Sequence, residues 1–413
     1  MQLPHSLRGL RRRNLQLFFG GQVISLVGTW MQSVALQWLV WRLTHDARAL
    51  GAAAFLGQFP VFLFGAIGGS VADRWPRRRL VIATQVAAAL QAGALAVVTL
   101  SGWARPALVM GLASILGIVN AFDIPARQSL LADLAESDLA NAIALNSSVV
   151  NGTRMIGPAV AGWLVAALGE GWCFFANAAS YVAIILGLFA MQVHETPPKV
   201  QRGHVRAGIR YALHTPHARV LLGLVALTSV FGLSYTALVP MFADKVLGGD
   251  ARLLGTLLGA VGLGALTGAI SLLRADGLPG LGKRVAWGSS MFGAGLLLFA
   301  ASRRIWLSEA ALFCVGVGFM SQMASTTTLL QALAPPEMRG RVMGLYSTVF
   351  IGMTPLGSLA AGWAADRIGA PRTVAIGAGV VIAGSLAFHF ALPTLRRVVR
   401  RDFPALFPPQ EAG

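Results

Sequence analysis

Long apolar stretches separated by short charged connectors run along almost the whole chain. The stretches 50–72 and 80–100, for example, contain no charged residue. About 20 helical residues cross a hydrocarbon core of about 30 Å, and the backbone in lipid must hydrogen-bond within its own helix. The pattern predicts an all-α membrane protein with twelve transmembrane helices. These spans cover residues 15–41, 50–72, 80–100, 106–125, 142–168, 172–191, 219–243, 253–273, 285–301, 306–330, 343–365 and 373–392.

Composition agrees with a membrane protein and argues against several other classes. The 413 residues are 55% hydrophobic and only 12% charged, and the mean hydropathy is +0.67. The net charge of +17 is scattered between apolar runs instead of forming a basic stripe, so we expect no nucleic-acid partner. Cys173 and Cys314 both fall inside predicted spans, which leaves neither a disulfide framework nor a paired-cysteine metal site.

Positive charge predicts which way the spans face. If the N-terminus is cytoplasmic, the inner segments hold 23 of the 33 Lys and Arg residues, the outer connectors hold nine, and Arg154 lies within a span. Because basic residues favour the cytoplasmic side, both termini are expected inside. The basic start resembles a signal peptide, but the apolar run 15–41 is too long for one, so it is interpreted as a retained first helix.

An internal repeat of about 200 residues divides the chain into two halves. Leu130 matches Leu329 at an offset of 199, and the tripeptide Ala-Gly-Trp at 161–163 recurs at 361–363. Parallel halves of this kind are typical of transporters with a site near the midplane, although chance similarity between apolar helices is the alternative. The predicted organisation is an N-terminal six-helix bundle at 1–191, a cytoplasmic linker at 192–218, a C-terminal bundle at 219–392 and a cytoplasmic tail at 393–413.

The connector after the second span carries a recognisable motif. It reads GGSVADRWPRRRL from residue 68 to residue 80, and its Gly-xxx-Asp-Arg-xx-Arg-Arg spacing resembles the signature connector of the major facilitator superfamily. Trp75 and Pro76 replace the glycine and arginine that usually follow Asp-Arg. The segments 21–44 and 122–127 further resemble the branch of bacterial drug and siderophore exporters that includes the enterobactin exporter.

This resemblance implies a fold and a function. The fold is two pseudo-symmetric six-helix bundles that alternate access to a central site. The function is secondary, proton-driven efflux of a small amphipathic compound (a drug, siderophore or metabolite), without ATP or another cofactor. The transporter is expected to be a monomer in the lipid bilayer of the inner membrane of a bacterium. An importer or a lipid flippase on the same fold is the alternative, and a non-transporting membrane scaffold is a more distant one.

Four charged residues are candidates for a cytoplasmic clamp. The resemblance places Asp73 against the start of span eleven, near Met343, where a carboxylate gains from the helix dipole. Arg74 or Arg77 is then expected to pair with Asp123 near the inner end of span four. For Asp123 three roles stay open: this gating role, proton carriage, and a static helix-end pair.

Span five holds an arginine and a glycine-proline motif. Arg154 lies near the membrane midplane, where an arginine usually faces a cavity or a partner. It is either an anion-facing or proton-coupled site, or it pairs structurally with Asp123 or with carbonyls near Pro158. Small residues partly match a motif associated with antiporters, and tight helix packing is the alternative. The residues of this motif are Gly152, Gly157, Pro158 and Gly162.

Polar side chains recur at helical spacing on the spans that line the central path in the superfamily. They predict a roomy amphipathic cavity, although hydroxyls and amides in helices also bond to nearby carbonyls or neighbouring helices. The candidate cavity residues are Gln22, Ser25, Thr29, Gln32, Asn120, Tyr235, Ser321, Gln322 and Ser325.

The sequence contains no convincing motif for catalysis or nucleotide binding. The glycine-rich segment 277–283 imitates a phosphate loop, but Arg284 stands where a Ser or Thr must hold magnesium, and no strand precedes it. No nucleophile, base and orienting group occur together. The sequence therefore predicts a transporter and not an enzyme, with no metal site.

Overall fold

A computed structural model describes residues 12–135, 138–192, 210–211, 214–273, 280–335 and 337–402. The described residues contain no strand and form twelve long helical segments. These are α1 (Arg13–Thr44), α2 (Ala47–Ala72), α3 (Arg77–Leu100), α4 (Pro106–Ala135), α5 (Leu139–Leu168), α6 (Glu170–Ala190), α7 (Pro216–Val246), α8 (Ala251–Leu273), α9 (Leu281–Ala301), α10 (Ile305–Leu333), α11 (Arg339–Ile368) and α12 (Ala370–Asp402).

Eleven of these described helices are long and apolar enough to cross a membrane. The remaining one, α5, has 30 residues, about 45 Å at 1.5 Å per residue. Its first sixteen residues include Asn141, Asn146, Asn151 and Arg154, which lower its hydropathy. The expectation of an all-α membrane protein is confirmed, and the exact number of spans remains a prediction.

Two helices continue past prolines at which the sequence predicts their ends. Span four is predicted to end at residue 125 and the last span at residue 392, yet α4 runs through Pro125 to Ala135 and α12 through Pro393 to Asp402. A proline inside a helix removes one hydrogen bond, to the carbonyl four residues earlier. In α4 that carbonyl belongs to Ala121 and faces the backbone of Gly68 in α2, where a Cβ would clash with it. The close contact with α2 therefore covers the carbonyl that Pro125 leaves free.

The seventh helix contains two wide turns. Residues Thr228–Gly232 and Phe242–Val246 are π-helical, and the N–H of Leu233 donates to the Thr228 carbonyl at 2.8 Å. Each π turn inserts one residue relative to an α-helix, so side chains after it point in a different direction. Pro240 lies between the two turns.

The chain forms two compact units. One comprises Met1–Gln201 with Ala237–Gly262, and the other comprises Arg202–Thr236 with Leu263–Gly413. The first unit packs its core around residues such as Phe18, Val81, Leu130 and Ile184 of α1, α3, α4 and α6. The core of the second unit includes Leu221, Val285, Leu330 and Phe388 of α7, α9, α10 and α12.

The predicted domain boundaries fall partly on positions outside this description. Most of the linker predicted at 192–218 and the end of the tail predicted at 393–413 lie beyond the described residues. The predicted bundles at 1–191 and 219–392 therefore stay a prediction, while α7 begins at Pro216 and α12 extends through the first ten residues assigned to the tail.

Glycines at equivalent positions of the repeat mark equivalent helix contacts within each unit. A Cβ at Gly157 of α5 would clash with Trp30 of α1, and one at Gly357 of α11, 200 residues later, would clash with the Val230 carbonyl of α7. Small residues let helix backbones approach this closely in a membrane. The recurrence of the contact supports a true repeat over chance similarity of apolar sequence.

Candidate functional site

A buried carboxylate lies in the first unit. Asp123 of α4 is 4% exposed. Its Oδ1 accepts hydrogen bonds from Thr84 Oγ1 and Gln85 Nε2 of α3, each at 2.7 Å, and its Oδ2 is paired with the guanidinium of Arg127. Charge-assisted hydrogen bonds are the strongest class in proteins, and a carboxylate at this depth requires them. The site is a hydrogen-bonded ion pair held between two helices.

The partner of Asp123 differs from the one expected. The sequence predicts Arg74 or Arg77, but the structure pairs Asp123 with Arg127, four residues along the same helix. The expectation ended span four at Pro125, which put Arg127 in a connector. Because α4 continues to Ala135, the two residues lie one turn apart on one face. Asp123 is then about 18 Å from the end of α4, deeper than the helix end predicted for it.

Two arginines of the signature motif at 68–80 contact other helices of the first unit. Arg77 begins α3 and pairs with Asp133 of α4. Arg78 donates to the carbonyls of Leu188 at 2.7 Å and Phe189 at 3.0 Å, at the C-terminal end of α6. A cation there satisfies carbonyls that the helix leaves unpaired and complements its dipole. These two arginines therefore tie the start of α3 to α4 and α6.

The other two clamp candidates are differently placed. The backbone N–H of Asp73 donates to the Gly69 carbonyl at 3.0 Å and closes α2. Its carboxylate and the exposed Arg74 have no ion pair with any described residue. The expected contact of Asp73 with span eleven would join the two units and stays a prediction.

Arg154 lies midway along α5, over an aromatic ring. Its Cζ is 5.0 Å from the ring centroid of Trp30 in α1, within the range of a cation–π interaction. Gly157, one turn later, faces the Cβ of the same tryptophan. Trp30 is therefore part of the arginine's surroundings, and the close approach of α5 to α1 positions it. The predicted pairing partner Asp123 is already engaged by Arg127.

The proline of α5 creates a second close helix contact. Pro158 removes the helical hydrogen bond to the Arg154 carbonyl, and a Cβ at Gly262 of α8 would lie 3.0 Å from that oxygen. Gly162 packs against the first turn of α8, where its Cβ would lie 2.9 Å from the Gly255 Cα. No atom lies within 4 Å of a Cβ built at Gly152. At Pro158 and Gly162 the motif therefore matches the alternative interpretation, tight helix packing.

The candidate stripe on α1 is hydrogen-bonded within the first unit. Gln22 Nε2 donates to Asn146 Oδ1 at 2.8 Å. Gln32 donates to Gln91 Oε1 at 3.0 Å and accepts from Asn177 Nδ2 at 2.8 Å. These amides link α1 to α3, α5 and α6, as the alternative interpretation of the stripe proposes.

Three further candidates of the first unit have fewer partners. The Thr29 hydroxyl donates to the Ser25 carbonyl at 2.8 Å, whereas the buried Ser25 hydroxyl has no hydrogen-bond partner among the described residues. Asn120 of α4 is half-buried. The Ser25 hydroxyl and the Gln22 Oε1 are therefore buried polar atoms of α1 without a described hydrogen-bond partner.

In the second unit the candidates are buried and uncharged. Gln322 of α10 donates to Thr228 Oγ1 of α7 at 2.8 Å. The hydroxyls of Ser321 and Ser325 are fully buried and have no hydrogen-bond partner among the described residues. Tyr235 is 3% exposed and meets Phe299 edge-on, with the ring centroids 6.5 Å apart.

The repeat relates the two polar sites. An offset of 199, the same as that between Leu130 and Leu329, places Gln322 opposite Asp123 and Thr326 opposite Arg127. The first unit thus has a buried ion pair where the second has an amide and a hydroxyl. Sequence reasoning noted Asp123 and Gln322 separately but missed Arg127, Thr84 and Gln85; the i, i+4 spacing of Asp and Arg is the signal that identifies Arg127.

Another buried acid, Glu170, is the first residue of α6 and lies next to the last residues of α1. The guanidinium of Arg42 makes two hydrogen bonds to the Glu170 carboxylate, at 2.8 and 3.1 Å. Trp41 Nε1 donates to Asp244 of α7 at 2.9 Å. Among the described residues no group of three His, Cys, Asp or Glu side chains is placed to hold a metal ion.

Comparison with solved structures assigns the fold. The nucleoside transporter NupG superposes with a TM-score of 0.70 at 14% identity, covering 92% of this chain and 99% of that one. An auto-inhibited POT family peptide transporter superposes with a TM-score of 0.72 at 14% identity, covering 92% and 97%. The fold is that of the major facilitator transporters.

Sequence comparison narrows the assignment. The family model described as transmembrane secretion effector matches residues 5–408. The chain belongs to this family and is a membrane transporter, not an enzyme.

Curated relatives cover nearly the whole chain. The staphyloferrin A transporter of Staphylococcus aureus is 28% identical over 90% of this chain and 95% of its own. The multidrug efflux pump Tap of Mycolicibacterium fortuitum is 26% identical over 94% and 98%, and the enterobactin exporter EntS of Salmonella typhi is 25% identical over 92% of each. The relatives are therefore transporters of siderophores and drugs, as the resemblance implied.

Proposed function

We propose that this protein exports a small amphipathic compound, of siderophore or drug type, from the cytoplasm of a bacterium in exchange for protons. It would do so as a monomer with twelve spans and both termini in the cytoplasm, using no ATP. The relatives named as exporters or efflux pumps match more than nine-tenths of this chain. Their names support both the direction and the substrate class.

The observation that best supports proton coupling is the buried ion pair of Asp123 and Arg127. Its carboxylate is held by two neutral donors of α3 and by one cation of its own helix. Protonation of Asp123 would remove the attraction for Arg127 and free the guanidinium for another acceptor, such as an anionic substrate. A charge change at a junction between two helices is the kind of local event that biases a two-state transporter.

The connector supplies the second element of the mechanism. Arg77 and Arg78 are engaged inside the first unit, whereas the carboxylate of Asp73 is not paired with any described residue. We assign Asp73 the part of the clamp that forms in one state of the cycle and breaks in the other. Asp73→Asn should lower transport while leaving the amount of protein in the membrane unchanged.

A proteoliposome assay with an imposed pH gradient tests the proposal. Purified protein is reconstituted, and a fluorescent drug-type cation or a labelled siderophore is followed in both directions. Protons moving inward should drive the compound outward, and Asp123→Asn should abolish this driven transport. Substrate exchange without a gradient should persist in that variant, because exchange needs no net proton transfer.

The same assay separates the alternative functions. Accumulation of the compound in the direction of the proton flow would identify an importer, the one alternative with any support, since solved structures of the same fold carry nucleosides and peptides. Loss of both driven transport and exchange in Asp123→Asn would instead give Asp123 a structural role. Driven transport at the wild-type rate in that variant would remove it from proton coupling.

A further inference from the structure

A basic pocket lies between α9 and α12 of the second unit. Its volume is about 730 Å³. Lys283 and Trp287 lie on one face of α9, four residues apart, and His389, Arg396 and Arg397 lie on the facing side of α12. None of the nine residues that line the pocket is acidic. We propose that this pocket binds the phosphate headgroup of an anionic phospholipid.

The charges of the pocket have no counterpart among the residues that the structure describes. Lys283, Arg396 and Arg397 make no hydrogen bond or ion pair with any described residue. Two other basic side chains at a helix start are satisfied internally, Arg77 by Asp133 and Arg78 by carbonyls of α6. Three cations without a described partner around one concavity favour an anionic ligand from outside the chain.

The depth of each side chain matches the layers of a bilayer. Lys283 is in the first turn of α9, and Arg396 and Arg397 are at the end of the apolar stretch of α12, so the cations lie at headgroup level. Trp287 is about 6 Å further along α9 and 53% exposed. Tryptophan prefers the interface between headgroups and hydrocarbon.

The surface below the cations is apolar. Phe390, about 9 Å deeper than Arg396, is 78% exposed, and Leu386 one turn further is 50% exposed. This sequence of basic, aromatic and aliphatic side chains fits one phospholipid with its phosphate in the pocket and its acyl chain along α12. Basic pockets between transmembrane helices on the cytoplasmic side bind anionic lipid headgroups in this way.

Contacts between the two helices shape the pocket. Ser385 of α12 accepts from Ser289 Oγ at 2.7 Å and lies 2.8 Å from Ser290 Oγ. A Cβ at Gly282 would lie 2.8 Å from Leu392 Cδ1. The helices are thus fixed against each other along their inner edge, which leaves the pocket open between their outer faces.

Native mass spectrometry of the purified full chain tests the proposal. Phosphatidylglycerol should remain bound to the wild type, whereas phosphatidylcholine should not. In the variant Lys283→Gln/Arg396→Gln/Arg397→Gln, binding should weaken about 100-fold, since each basic side chain near a lipid headgroup contributes about fivefold. The matched control Arg210→Gln/Arg219→Gln/Arg339→Gln removes three cations from the same unit outside the pocket and should bind as the wild type does.

Several results would overturn the proposal. They are equal binding of phosphatidylcholine, equal loss in the control variant, or full displacement of the lipid by soluble glycerol phosphate at matched concentration. If the triple variant does not fold, Lys283→Gln alone should weaken binding about fivefold, and an unchanged affinity there would count against the pocket. The assay involves no transport, so its failure would leave the proposed exporter function intact, and a failed transport assay would leave the lipid site intact.

Discussion

The two repeats handle buried polarity in different ways. In the first unit Asp123 and Arg127 form an ion pair, and two α3 side chains complete the shell of the carboxylate. At the equivalent position of the second unit Gln322 makes one neutral hydrogen bond to Thr228, and Thr326 has a buried hydroxyl with no described partner. The same helix framework therefore carries an ion pair in one half and uncharged polar side chains in the other.

This difference indicates that the two halves of the repeat have different roles. A buried ion pair costs desolvation energy that two neutral groups do not, so it persists where its charge has a use. The second unit has uncharged side chains, Gln322 and Thr326, at the equivalent positions. The asymmetry predicts that substitutions in the first half alter coupling to protons, while substitutions in the second half alter stability or substrate range.

The largest effect is expected from Asp123→Asn. It leaves the Arg127 guanidinium buried without its carboxylate, which costs about 3–5 kcal/mol of unfolding free energy. The melting temperature of the purified protein in detergent measures the loss. The double variant Asp123→Asn/Arg127→Gln should regain much of that stability; if it is no more stable than the single variant, the pair is not a unit.

A smaller loss is expected from Gly68→Ala in α2. The added Cβ clashes with the Ala121 carbonyl, and overpacking of this kind costs about 1–3 kcal/mol. Gly69→Ala is the matched control, since its Cβ meets no atom within 4 Å. The two melting temperatures should therefore separate, and equal values would show that α2 and α4 are not held at this distance.

In the second unit Gln322→Leu tests the neutral site. It removes one hydrogen bond and leaves the Thr228 hydroxyl without its donor, for about 1–2 kcal/mol. Because no charge is lost, the ratio of driven transport to exchange should stay at the wild-type value in proteoliposomes. A selective loss of proton-driven transport would contradict the proposed asymmetry between the halves.

The smallest effect should come from Asp133→Asn, the partner of Arg77. Both side chains of this pair are about one-fifth exposed, so solvent screens their attraction, and the loss should be only about 0.2–1 kcal/mol. Added salt should shrink the difference from the wild type further. A loss as large as that of Asp123→Asn would mean that the connector, and not the buried pair, holds the first unit together.

The helices of this protein were largely predictable from sequence because lipid permits few alternatives. A charge-free run such as 50–72 has to be a helix, and α2 spans Ala47–Ala72. The predicted end of α4 was ten residues too early because the spans were drawn between charged breaks, and Arg127 follows residue 125. A helix can continue through a proline where another group covers the carbonyl that the proline leaves without a hydrogen bond. In α4 that carbonyl belongs to Ala121, and Gly68 of α2 packs against it.

Side-chain partners were harder to predict than helices. Arg77 finds Asp133 and Asp123 finds Arg127, whereas the sequence suggested that Asp123 pairs with the connector. Partner choice depends on rotation of each helix about its axis, and apolar composition does not determine that rotation. The π turns of α7 were not predicted from the sequence either.

The wide turn at Thr228–Gly232 has a mechanical consequence for the second unit. Contraction of that turn to ordinary α geometry would rotate everything beyond it by about 100°. Tyr235 would then leave its contact with Phe299 and present its ring to a new neighbour, without any helix melting. A shift of the hydrogen-bond register in α7 would therefore change which side chains pack against α9.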